Sequence, residues 1–137
     1  MNSISSAFRT RQAIIFDRIL VEELLKTGVE IIFIVKSGPI INDAMMADAR
    51  VAGLTDLVPV IETGSNDIGI NVSRSSEEFL KAFKSADLIL AKGHGNFETC
   101  CAFPQNFYFL LKAKCKVVAK ELGVRMGDIV FKNNKYT

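Results

Sequence analysis

Residues 30–36, EIIFIVK, run through β-branched and aromatic side chains with no polar alternation. A strand with one wet face alternates polar and apolar residues, whereas an unbroken apolar run needs cover on both faces. This segment is read as an inner strand with helices above and below it. DLILA (87–91) and NFYFLL (106–111) repeat the pattern, and GDIVFK (127–132) reads as a last strand. LVPVIE (57–62) also reads as a strand, but Pro59 lacks a ladder donor and so predicts an edge position or a bulge.

Helical spacing separates these runs. Residues 11–26 place Ile15, Ile19, Leu20 and Leu24 on one face, and Gly28 makes a stop. AMMADARVAG reads as a short helix that Asn42 or Asp43 could cap. Ser75 and Glu78 have the spacing of a capping box ahead of EEFLKAFK, and KAKCKVVAKELG is a helix ending at Gly123. Strands alternating with helices predict an α/β fold around a mostly parallel, Rossmann-like sheet. The first and last few residues are expected to fray.

At 137 residues the chain suits one domain. Its net charge of +2 is small and its 17 basic residues are spread out, so no broad basic face for nucleic acid is expected. No apolar run approaches the roughly 20 residues that span a bilayer, and the first residues lack the pattern of a secretory signal. Three cysteines, two of them adjacent (Cys100, Cys101), argue against a disulfide framework. A single histidine and no CxxC leave too few ligands for structural zinc. The expectation is a cytoplasmic, reduced protein.

In an open parallel sheet, ligands bind beyond the carboxyl ends of the strands. Those ends run into SGPIIND, ETGSND and KGHGN, which gather Asn42, Asp43, Thr63, Gly64, Ser65, Lys92, Gly93, His94 and Asn96 on one rim. The opposite edge offers TGVE, AGLTD, KSAD and LGVRMGD, a poorer set. Glycines let a backbone approach phosphate closely, and Lys92 adds a positive charge for a phosphate oxygen. Asp43 and Asn42 offer hard oxygen donors of the kind that suit magnesium or manganese. Ordinary roles stay open for each residue. Asp43 could be a helix cap, Gly64 and Gly93 could serve tight turns, and Lys92 could be solvated. His94 could be an exposed loop residue, and Cys100, Cys101 and Cys115 could be small packed groups.

GPIINDAMMADA, VIETGS, ADLILAKGHGNFE and LLKAKCKVVAKELGV, taken in order, resemble the metal-dependent damage-control phosphatases. The similarity runs from about Ile14 to Phe131 and is nearest the family's short prokaryotic branch. The resemblance implies a three-layer αβα sandwich and hydrolysis of phosphate monoesters of small metabolites, sugar phosphates among them. It implies a divalent cofactor: manganese, magnesium, cobalt or nickel. By the same resemblance Asp43 is a metal ligand, with Asn42 beside it, and Lys92 holds the substrate phosphate. Gly93 and Asn96 shape that loop; Gly64 and Ser65 join the expected phosphate site through their place on the same rim.

The family pattern also has an Asp-Asn pair in a DNAGE-like segment before its IVFD run. Here AIIFD (13–17) matches that run, but Arg9, Thr10, Arg11 and Gln12 precede it, so two expected metal ligands are absent. Arginine cannot ligate a cation and repels one. The expectation is therefore one domain over residues 1–137, resembling the catalytic α/β part without the family's upstream helical region. Three functions follow: a phosphatase-family domain of reduced or no activity, a non-catalytic phosphate- or nucleotide-binding subunit, or an inert structural module. Apolar surface left uncovered by the missing helices predicts self-association.

Overall fold

The computed structural model describes residues 2–6, 13–40 and 43–135. Six strands form one sheet in the order β3-β2-β1-β4-β5-β6. They are β1 (Asn2–Ser6), β2 (Glu30–Val35), β3 (Val60–Glu62), β4 (Leu88–Lys92), β5 (Phe107–Lys112) and β6 (Ile129–Asn133). All neighbouring pairs are parallel except β5 and β6. Strand β3, which Pro59 directly precedes, is an edge, in keeping with the expectation from that proline.

Alternate residues of each inner strand feed two separate cores. Ile31, Phe33 and Val35 of β2 pack with Ile14 and Val21 of α1 (Ile14–Leu25) and Ala49 of α2 (Met46–Val51). On the other face, Ile89, Ala91, Phe107, Phe109 and Leu111 meet α3 (Glu77–Ser85), α4 (His94–Cys100) and α5 (Lys116–Leu122). Helices on both faces explain why these strands carry no polar alternation. Among the described residues, no helix is long and apolar enough to cross a membrane.

The second layer is uneven. α3, α4 and α5 cover one face, but α1 and α2 sit over the β2 half of the other. On that face the outward side chains of β6, Ile129 and Phe131, are 80% and 64% exposed, with Phe131 stacked on Tyr108 of β5. Ile15, Phe16 and Ile19 of α1 are exposed as well.

Four local expectations need correction. Residues 2–6, expected to fray, form β1 at the centre of the sheet, paired on both sides. Asp43 does not cap α2; Met45 is the cap residue, and its amide donates to Asp48 Oδ2 over 2.9 Å. The cap of α3 is Ser76, whose Oγ accepts from the Phe79 amide at 3.1 Å, while the Ser75 hydroxyl donates to Asn71 O. KGHGN (92–96), read as a loop, instead opens a helix at His94, because Phe97 and Cys100, one turn apart, are both buried in the core.

Candidate functional site

Strands β1, β2 and β3 succeed one another in one direction, and β4 begins the other half of the sheet. The order therefore reverses between β1 and β4, and the crevice of an open α/β sheet lies beyond the carboxyl ends there. Lys92 is the last residue of β4, at that point. Its side chain turns toward α1, where its Nζ donates to Asp17 Oδ1; the two side chains are 4% and 1% exposed. An isolated buried ammonium is expensive, and a paired carboxylate offsets part of that cost. The second oxygen of Asp17, Oδ2, has no hydrogen-bond partner among the described residues.

Gly93 follows with φ of 91°, a left-handed value that suits glycine. It joins β4 to α4 with almost no intervening chain. Asn96, in the first turn of α4, is fully buried, and its Nδ2 donates to Lys92 O over 2.9 Å. The main chain of Lys92 is thus held from behind by a side chain four residues on. His94 does not lie in a loop. Its Nε2 sits 2.6 Å from Lys112 O and 2.9 Å from the Lys114 amide, tying α4 to the end of β5. One nitrogen cannot donate to the first and accept from the second at once, so the tautomer selects between them.

The turn after β3 is laced to the turn after β2. Gly64 N donates to Ser37 Oγ at 2.7 Å, and Ser37 N donates to Ser65 O at 3.2 Å. Thr63 Oγ1 donates to Ser65 O, and Thr63 N reaches Val35 O. The amides of Gly64 and Ser65 are therefore engaged within the protein, the latter by Thr63 Oγ1 at 3.3 Å. A Cβ on Gly64 would overlap the backbone nitrogen of Ser76. Its glycine is required by the close approach of α3.

Asp43 is half-buried in the turn after β2, and Asn42 lies outside the described residues, as do residues 9–12. Burial raises the Asp43 carboxyl above its ordinary range, and the Lys36 ammonium opposes that rise. Lys36 is itself fully buried, and desolvation pushes it down to about 8 against the pull of Asp43 and Asp67. Motif reading missed this lysine; the signal was a charged residue closing an otherwise apolar strand run. Three turns thus meet at one rim, carrying Asp43 and Lys36, Gly64 and Ser65, and Lys92, Gly93 and Asn96.

Among the described residues, the fit to a divalent ion is poor. Among the described residues, no three His, Cys, Asp or Glu side chains come together as a metal cluster. Asp43 faces a lysine, a charge that repels a cation.

Comparison with known proteins agrees with the α/β sheet. The Damage-control phosphatase ARMT1-like domain matches residues 13–130. An uncharacterized protein of Methanocaldococcus jannaschii is 50% identical over 121 residues, which are 85% of this chain and 40% of that protein. Damage-control phosphatase PH1575 of Pyrococcus horikoshii is 46% identical over 123 residues, 88% of this chain and 43% of the relative. The crystal structure of that Pyrococcus protein, described as a DUF89 family protein, superposes with a TM-score of 0.92 at 41% identity. The superposition covers 97% of this chain and 47% of the Pyrococcus chain. The chain thus spans less than half the length of each of these relatives. Nearly its whole sequence nevertheless falls inside the domain match, and it belongs to the damage-control phosphatase ARMT1-like family.

Proposed function

We propose that this chain carries the phosphate-holding part of a damage-control phosphatase and that its rim takes phosphate monoesters of small metabolites, sugar phosphates among them. The observation that supports this most is the buried Asp17–Lys92 pair at the reversal of strand order. Asp17 keeps a cation in place where the fold leaves a crevice. Lys92 would neutralise charge on the phosphoryl oxygens as the ester bond breaks. Gly93 lets the chain turn beside the phosphate, and Asn96 holds the backbone of Lys92. Gly64 and Ser65 form the neighbouring wall rather than amide donors, because their N–H groups are engaged.

A divalent ion (manganese, magnesium, cobalt or nickel) would find Asp43 as its ligand among the described residues, with Asn42 adjacent in sequence. One carboxylate beside a lysine falls short of a closed cage, so hydrolysis would need further ligands from outside the described residues. A second reading follows from Lys36 facing Asp43: a non-catalytic phosphate- or nucleotide-binding module, acting as a regulatory or partner subunit. Both readings take the protein as cytoplasmic and as self-associating through its uncovered face.

Thermal melts with inorganic phosphate and a sugar phosphate test the binding step. Stabilisation of the parent that Lys92→Ala abolishes is the expected result. Stabilisation that survives in Lys92→Ala would remove the lysine from the site. Manganese-dependent release of phosphate from an aryl phosphate ester, lost in Asp43→Ala, separates the enzyme from the binder. No stabilisation by either ligand would leave an inert module.

A further inference from the structure

Lys36 directly follows β2 and is fully buried, yet no motif marks it. Its Nζ donates to two backbone carbonyls, those of Asp67 and Gly69, in the turn after β3. Its own amide donates to Ala44 O over 3.2 Å, which sets it beside Asp43 in the turn after β2. One lysine therefore ties two of the three rim turns together.

Residues 67–70 continue the connection to the third. The Ile70 amide donates to Thr99 Oγ1 at 3.0 Å, and Thr99 Oγ1 donates to Gly95 O at 2.8 Å. Gly69 and Gly95 pack backbone to backbone. A Cβ on Gly95 would lie 3.2 Å from Gly69 N and 2.9 Å from Ile68 Cγ2. Gly95 is in the first turn of α4, three residues after Lys92. Segment 67–70 is thus clamped between the Lys36 ammonium and the first turn of α4. Two backbone carbonyls at one buried cation are a costly arrangement to keep for packing alone, since an apolar side chain would fill the space without desolvating a charge.

We propose that Lys36 is a positioning residue of the phosphate site, acting through segment 67–70 on the first turn of α4 and so on Gly93, which joins that turn to Lys92. This inference rests on the reading of that rim as a phosphate seat. In this role Lys36 would not touch phosphate; it would set the geometry of the residues that hold it. Removing its charge frees the carbonyls of Asp67 and Gly69, segment 67–70 loosens, and Gly95 and Thr99 lose their support.

The test compares the parent with Lys36→Met and Lys36→Arg, and uses Ile89→Val as a control that lowers stability without touching the rim. Two readouts are taken on each folded protein: amide hydrogen exchange at residues 67–70 and 95–99, and the affinity for inorganic phosphate from melting shifts. Lys36→Met is expected to speed exchange in both segments by about tenfold, the signature of a local rather than global opening. Its phosphate affinity is expected to fall by about tenfold, with Lys36→Arg in between and Ile89→Val unchanged. If Lys36→Met does not fold, Thr99→Val cuts the same connection from the α4 side and should give the same two changes.

Exchange and affinity both unchanged in the folded variant would overturn the proposal. Faster exchange with unchanged affinity would overturn it too, because the clamp would then not reach the site. Lower affinity with unchanged exchange would make Lys36 a direct ligand and overturn a positioning role. A parent that phosphate does not stabilise sinks the phosphate reading and, with it, any role of Lys36 in phosphate binding; faster exchange in Lys36→Met at 95–99 would then still establish the clamp as a structural one.

Discussion

Asp17 on α1 and Lys92 at the end of β4, 75 residues apart in sequence, form an ion pair with almost no solvent contact. The pair sits where strand order reverses, so it joins α1 to the second half of the sheet. Removing one partner leaves the other charged and buried, which costs about 3–5 kcal/mol. Lys92→Met and Asp17→Asn should each lose stability on this scale in urea denaturation. The double replacement Asp17→Leu with Lys92→Met should recover most of it, because no lone charge remains. A double variant less stable than either single one would show that the pair is not what the buried carboxylate answers to.

Lys36 and Asp43 give stability opposite dependences on pH. Burial lowers the folded-state pKa of Lys36 to about 8, below the ordinary 10.5. Between these values the unfolded chain binds more protons, so this group makes stability rise with pH across that window. The burden of burying the charge is greatest below pH 8 and is relieved as pH climbs to about 10.5. Asp43 is raised above 3.8, so the folded state binds its proton more tightly. Its contribution is full below about 3.8 and is lost as pH rises through the folded pKa. Urea midpoints across about pH 7–10.5 should climb more steeply in the parent than in Lys36→Met. Equal slopes would remove the assigned shift.

Gly64 separates a structural glycine from a permissive one. Its φ is 87°, and a Cβ would overlap the Ser76 backbone at the start of α3. At Gly28, where φ is 82°, an added Cβ would meet nothing within 4 Å. Both substitutions to alanine carry left-handed strain, about 1 kcal/mol for Gly28→Ala. Gly64→Ala adds a backbone displacement and should cost about 3 kcal/mol or more in the same denaturation assay. Comparable losses at the two sites would mean the β3–α3 turn yields easily.

Much of the architecture was legible because burial on both faces leaves a mark in composition. Phe33, Ile89 and Phe109 lie in unbroken apolar runs for a reason that periodicity can express. β1 was not legible. Its sequence, NSISS, has one apolar residue, and it is a strand because two neighbours pair with its backbone. Backbone pairing has no side-chain signature. α4 was hidden for a related reason, since Gly95 and Asn96 read as loop residues while Phe97 and Cys100 decide the outcome by packing. At the rim, motif spacing could single out Lys92 and Asp43. It could not reveal that Asp17 and Lys36 answer them, because those partnerships exist only after distant turns meet.

The uncovered half of the sheet carries the last prediction. Ile129 and Phe131 of β6 lie on the face that α1 and α2 leave open, and Ile15, Phe16 and Ile19 of α1 are exposed too. α1 is apolar around much of its circumference, a pattern that belongs to a helix covered on more than one side. Water against these side chains costs about 25 cal/mol for each Å² left exposed, which favours association between copies at high concentration. Sedimentation velocity should therefore show the parent self-associating. Phe16→Lys and Phe131→Lys should each weaken that association at least about tenfold, since a charge at a buried interface is strongly disfavoured. Their melting temperatures in dilute solution should change little, because both side chains are already in water there. A parent that stays monomeric at high concentration would mean that exposure of this face does not drive pairing between copies.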